Sequence, residues 1–231
     1  MPRVRALALV AALPIAALAA CSDRPNDLYT YYDDPTSASA VTGEVAAPPP
    51  VSTSAALTET SRVRAPAELA TGALMRQSDL VAEEVVADQA GAAPVTTLPD
   101  CGIDLGAGTA KQATWAYPSG ARLRQVVVFS TGTADAADVV AAARSELTCK
   151  TFKVAGTTFQ LDKTLTLPEL PDTDDQVAWC ATTQTKSSCT VVVAADRLLT
   201  AITVEAGTPA RAKTAIARVA PTAAKALTRG A

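Results

Sequence analysis

Five cysteines and no histidine set the limits of the chemistry open to this chain. Histidine is the commonest general base and nitrogen metal ligand, so a Ser-His-Asp triad is impossible and attention falls on the cysteines. Cys21 closes the run Leu18-Ala19-Ala20-Cys21, which has the pattern of a bacterial lipobox. In that motif the small residues before the Cys fit a lipoprotein signal peptidase. The Cys is then thioether-linked to diacylglycerol and becomes the new N-terminus, so lipid attachment is expected at Cys21. The remaining four, Cys101, Cys149, Cys180 and Cys189, are even in number, which in an exported chain argues for two disulfides. They contain no Cys-x-x-Cys, and their spacing matches no zinc site.

Other constellations are weaker. The Ser-x-x-Lys arrangement of a lysine-activated serine does not occur. Gly106-Ala107-Gly108 precedes Lys111 but completes neither GxGxxG nor GxxxxGK, so it reads as a loop. Asp172, Asp174 and Asp175 lack the glycine and the distal bidentate Glu of an EF-hand and read as a solvated acidic loop. Asp100 and Asp104 flank Cys101 and could form a carboxylate pair, but surface solvation is the expectation. Trp115 and Trp179 could line an apolar pocket; with aromatics at 4% of the chain, core packing is expected for both. No catalytic residue, metal site or cofactor is therefore expected, and the residues of any ligand site are not legible at this level.

These residues need elements to position them. Arg3 and Arg5 precede an apolar run from Ala6 to Ala17, too short for a permanent membrane span and suited to a signal peptide over residues 1–20. Residues 21–62 read as a tether rich in Pro, Ser, Thr and Ala, including Pro48-Pro49-Pro50. Such composition cannot bury enough apolar surface to offset ordering entropy. At ~40 residues its mean reach is ~30–40 Å, enough to hold a folded domain off a membrane. The cluster Tyr29, Tyr31 and Tyr32 within it reads as chance aromatics. Formal charge moves from −3 to −5 once two of the 20 basic residues leave with residues 1–20. Neither sign is concentrated enough for a nucleic-acid partner.

Residues 63–231 carry the folding signals. Helical pieces are expected within 67–90, the second capped by Ser78, then strands at Thr114–Tyr117 and Arg122–Ser130 around Pro118-Ser119-Gly120. Residues 134–148 read as an amphipathic helix, followed by short strands at 151–154, 157–161 and 163–167. Gln176–Thr182 and Ser188–Ala194 read as a hairpin around Thr183–Lys186, in which Cys180 lies opposite Cys189. A last strand at Leu198–Glu205 leads to a helix opened by Thr208-Pro209 and broken or kinked at Pro221. Successive strands joined by short turns argue for an α+β fold, a twisted antiparallel sheet with helices packed on one face and two disulfides.

In this order of elements, residues from about 65 to 230 resemble the actinobacterial PknH-like extracellular (sensor) domain family. The resemblance rests on Ser78-Asp79-Leu80 before the first of the four Cys, on Phe129-Ser130 closing a Val-rich strand, and on Leu147-Thr148-Cys149 ending an Ala-rich helix. A hairpin with the last two Cys and a C-terminal helix complete it. The resemblance implies an open cleft, ligand sensing, and disulfides Cys101–Cys149 and Cys180–Cys189. No motif pins the family's cleft residues here, and the chain carries no kinase domain. The expected function is a non-catalytic, lipid-anchored, extracytoplasmic ligand-binding module of the cell envelope. Its partners would be the membrane, through the N-terminal lipid, and a small or envelope-derived ligand. The alternative is a structural or accessory lipoprotein that docks another envelope protein.

Overall fold

Alternation governs where the strands of this chain run, and burial on two sides governs which of them lose it. The computed structural model describes residues 64–88 and 93–230, with Lys163 and Thr164 described through their backbone only. Cys21, the 1–20 signal segment and the 21–62 tether lie outside the described residues.

Strands β2 (Gly108–Ala116) and β3 (Arg122–Ser130) pair across the Pro118-Ser119-Gly120 turn. There Gly120 takes φ +79, a conformation that favours glycine. Strands β6 (Asp175–Thr182) and β7 (Ser187–Ala195) form the expected hairpin, with Cys180 opposite Cys189 in the register. Strand β8 (Leu198–Ala206) lies between β3 and β7 and closes the two hairpins into one sheet. With β1 (Val86–Ala87), β4 (Thr151–Val154) and β5 (Thr157–Thr164), the order is β1-β2-β3-β8-β7-β6-β5-β4, antiparallel throughout.

The sheet is covered on both faces. Leu123, Val127, Val191, Ile202 and Val204 point to one face, where α1 (Pro66–Gly72) and α3 (Pro209–Gly230) pack. Val126, Val128, Trp179, Val192 and Leu199 point to the other, under α2 (Ala136–Glu146) and the loop residues Leu98, Ile103 and Leu105. The α+β antiparallel architecture therefore stands, but the placement of all helices on one face does not. Two-sided burial explains the unbroken runs Val126-Val127-Val128 and Val191–Ala194: a strand buried on both faces has no reason to alternate. All nine residues of β7 are buried.

Local departures have local causes. The second helical piece is a 3-10 helix, Gln77–Glu83, entered at Arg76 instead of Ser78, because the Asp79 carboxylate accepts the Arg76 N–H at 2.8 Å. Strand β2 starts at Gly108, six residues before the expected Thr114, and in place of separate strands at 157–161 and 163–167 one strand, β5, runs from Thr157 to Thr164, with residues 165–167 outside it. Helix α3 runs through Pro221 unbroken. Its buried stripe continues on both sides of the proline, through Ile216 and Val219 and on to Ala224 and Leu227. Packing of both halves on the sheet outweighs the lost backbone bond. Helix α2 starts after Asp135, whose N–H donates to Asp138 Oδ2 at 3.4 Å. Among the described residues, no helix is long and apolar enough to cross a membrane.

Candidate functional site

At one end of the sheet the β2–β3 turn, the end of β8 and the first three turns of α3 meet around a cavity of about 410 Å³. Its apolar wall comes from Val204 and Ala206 of β8, Ala121 beside the turn, and Ala210 and Ala215 of α3. Small side chains on α3 leave this space open: alanines at 210 and 215 hold the helix near the sheet without filling the gap. Polar groups converge on it from Tyr117, Ser119, Arg211, Thr214 and Arg218. Arg211, Thr214 and Arg218 stand at i, i+3 and i+7 of α3, hence on one helical stripe. Thr208 opens the helix, its hydroxyl accepting the Arg211 N–H at 3.4 Å, with Pro209 in the first turn.

One wall is fixed by an ion pair. Arg218 donates from Nε to Glu83 Oε1 at 2.8 Å and from Nη2 to Glu83 Oε2 at 2.7 Å, and the Tyr117 hydroxyl donates to Glu83 Oε2 at 3.2 Å. The Arg218 hydrogen bonds hold the largely buried Glu83 carboxyl below its ordinary range, against the opposing effect of burial. Burial, with Glu83 beside it, pushes the Tyr117 phenol up. Glu83 thus joins the 3-10 helix to α3 and to the β2–β3 hairpin. Arg211, in contrast, makes no side-chain hydrogen bond or ion pair among the described residues and stands exposed at the mouth. The cavity lining holds hydroxyls, guanidinium groups and apolar carbons, and no carboxylate. It is equipped to hold a ligand by hydrogen bonds, positive charge and apolar contact.

A second polar cluster lies on the opposite face and is closed to solvent. Asp100, expected on the surface, is buried at 5% exposure. The reason is the hairpin-like loop 96–105, held by Leu98 N–H to Ile103 O and Leu105 N–H to Thr96 O, each at 2.7 Å, whose apolar Leu98, Ile103 and Leu105 pack on the sheet. That packing turns Asp100 inward. Its Oδ2 accepts the indole N–H of Trp179 at 2.7 Å and the Thr190 hydroxyl at 3.4 Å, and Thr190 in turn shares a hydrogen bond with Thr203 at 3.1 Å. Burial raises the Asp100 carboxyl above its usual range, only partly offset by Trp179, Arg124 and Thr190.

The other residues singled out by type and spacing fall as follows. Cys101 pairs with Cys149 and Cys180 with Cys189, at Cα separations of 5.6 and 4.0 Å. The first bond ties the 96–105 loop to the chain leaving α2, and the second spans the β6–β7 ladder. Trp115 and Trp179 are core residues on opposite faces, at 3% and 1% exposure. Asp104 and Asp100 do not form a carboxylate pair, since Asp104 Oδ1 instead accepts the Gly106 N–H at 3.0 Å. In the acidic loop, Asp174 accepts the Asp196 N–H at 2.6 Å and Asp175 pairs with Arg144 at 2.6 Å, so two of its three carboxylates serve the fold. Glu83, Tyr117, Arg211 and Arg218 were missed from sequence. The trace of them available there is the polar stripe at 211, 214 and 218 on an otherwise Ala-rich helix.

The fold and the site together define a disulfide-tied α+β domain with an eight-stranded antiparallel sheet and a cavity at one end. No protein-family model matches the sequence, and no curated protein matches it. Among solved structures, the chain is similar to the extracellular domain of PknH from Mycobacterium tuberculosis, at 12% identity and a TM-score of 0.47 over 71% of this chain and 95% of that one. It is also similar to a Mycobacterium smegmatis protein described as an Rv0999 ortholog, at 16% identity and a TM-score of 0.38 over 69% of this chain and 98% of that one.

Proposed function

We propose that this protein is an extracytoplasmic, lipid-anchored module that binds a ligand in the cavity between α3 and the β2–β3 hairpin. The observation that carries the reading is the combination of about 410 Å³ of space, an apolar wall and a small set of convergent polar groups, the usual composition of a small-molecule site. The anchoring part rests on the sequence, where Cys21 follows an apolar signal-like run and a tether of ~40 residues sets the domain off the membrane. Two disulfides in one small domain suit an oxidising compartment.

The alternative, docking of another envelope protein, asks for a contiguous exposed apolar patch of some hundreds of Å². The large exposed apolar side chains of the described residues are three valines, Val81, Val86 and Val95. The two readings separate on one substitution. Ala210 is exposed at the cavity mouth, and Ala210→Phe fills the space without disturbing the core. A thermal-shift screen of envelope-derived small molecules is expected to yield ligands that raise the Tm of the parent and not of Ala210→Phe. Ligands that stabilise both proteins equally place binding elsewhere and overturn the assignment of the cavity.

A further inference from the structure

The charges around the cavity run against those of the chain. The chain as a whole is net negative, yet the end of the sheet that opens into the cavity is basic. A second hollow of about 260 Å³ adjoins the first and shares Ser119, Ala121, Ala206 and Gly207 with it. Together they form one trough from α3 past the β2–β3 turn to the β6–β7 turn. Its charged lining residues are Arg211 and Arg218 on α3, Arg122 at the start of β3, Lys186 in the β6–β7 turn, and Glu205 at the end of β8.

Glu83 neutralises Arg218, and Glu205 stands directly across the ladder from Arg122. Arg211 and Lys186 remain as exposed cations with no ion pair among the described residues. The buried Val204 and Ala215 form an apolar wall deeper in the trough, and Tyr117 and Thr214 add hydroxyls to its lining. A ligand complementary to this trough has an apolar body for the wall and an oxyanion for the cations at the mouth.

We infer that the trough takes a free, monomeric amphiphile with a carboxylate or phosphate head, its apolar part against β8 and α3 and its head between Arg211 and Lys186. The inference rests on the binding reading above and adds the chemical class of the ligand. A bilayer surface is the poorer match, because the apolar groups line a recess that a flat headgroup layer does not enter. Guanidinium suits the head because its fork of donors matches an oxyanion in two hydrogen bonds.

The test uses the full secreted chain carrying Cys21→Ser, so that no detergent is needed, and three probes with one octyl tail: nonanoate, octyl phosphate and the neutral octyl glucoside, followed by calorimetry. Both anions are expected to bind, octyl glucoside at least about tenfold more weakly, and affinity for the anions to fall as salt rises. Arg211→Gln should cost the anions about tenfold and leave octyl glucoside unchanged. Arg211 is exposed and unpaired, so the variant is expected to fold, and an unchanged Tm checks it. Ala210→Phe should abolish all three.

Equal affinity for neutral and anionic probes, with loss of both in Ala210→Phe, overturns the charge assignment and leaves the cavity reading standing. No binding of any probe to the parent overturns this inference. Binding that survives Ala210→Phe overturns the cavity reading itself. Binding of the anions only when they are presented on vesicles moves the site to a membrane surface and also overturns the inference.

Discussion

Removing the side chain of Asp100 separates two effects that oppose each other in the buried cluster on the α2 face. Asp100→Ala takes away the acceptor of the Trp179 indole N–H, now at 2.7 Å, and of the Thr190 hydroxyl, at 3.4 Å. Thr190 retains Thr203, so Trp179 is the donor left stranded in a site with 1% exposure. A buried donor without a partner costs about 1–3 kcal/mol. For a domain of this size that lowers the Tm by roughly 2–4 °C per kcal/mol. The removal of a desolvated negative charge works the other way.

Asp100→Asn isolates that second effect, since its amide oxygen still accepts from Trp179. It is expected to leave stability at pH 7 within about 1 kcal/mol of the parent and at least about 1 kcal/mol above Asp100→Ala. The pH dependence has a definite sign. The folded carboxyl is raised above its unfolded value of about 3.9. Its contribution to stability is therefore fully present below about pH 4 and is lost as pH rises through the raised folded value. The parent should be at its best relative to Asp100→Asn near pH 4, lose ground as pH rises, and then level off.

Urea unfolding followed by far-UV circular dichroism, at several pH values for the three proteins, measures all of this. The reasoning is refuted if Asn proves as damaging as Ala at pH 7, which would make the charge itself, facing Arg124, the stabilising element. An advantage of the parent over Asp100→Asn that grows with pH would refute it too.

The other predictions concern the cross-links, the anchor and the domain boundary. Cys101–Cys149, with a sequence separation of 48, should be worth about 4 kcal/mol by loop entropy, against about 2.5–3 for Cys180–Cys189, with a separation of 9. Melting of Cys101→Ala/Cys149→Ala and Cys180→Ala/Cys189→Ala tests the ranking, and a larger loss from the hairpin pair reverses it. Cys21→Ser should abolish incorporation of labelled fatty acid and release the protein from the membrane fraction; continued labelling would defeat the lipobox assignment. A chain starting at Arg64 should melt within a few degrees of the mature protein, and a larger drop would mean that residues 21–62 contribute to the fold.

Much of the fold is legible in the sequence because much of it is local. The β6–β7 and β2–β3 hairpins follow from their turn residues and from strand composition. The opposition of Cys180 and Cys189 follows from the length of the β6–β7 loop alone. The Thr208-Pro209 opening of α3 is likewise written in adjacent residues. Prediction from short-range pattern fails where a distant element decides. Gly106-Ala107-Gly108 reads as a loop, yet Gly108 opens β2 by pairing with Ser130, at an approach so close that a Cβ there would run into the carbonyl of Phe129 on the neighbouring strand. Pro221 reads as a break, yet the sheet below α3 holds both halves of the helix in line.

Asp100 has the composition of a surface residue and is turned inward only because Leu98, Ile103 and Leu105 carry their loop onto the sheet. The side of the sheet chosen by α2 is not encoded in its amphipathic stripe, since a stripe states that a face is buried and not against what. The cavity is the clearest case: its lining comes from residues 117–121, 204–207 and 210–218. No periodicity links these segments, and the space exists only because β8, paired between β3 and β7, delivers α3 across the end of the first hairpin. Sequence determined most of the elements and the facing of Cys180 and Cys189. The meeting of distant side chains around one volume was decided by tertiary packing, because such a volume belongs to no single stretch of chain.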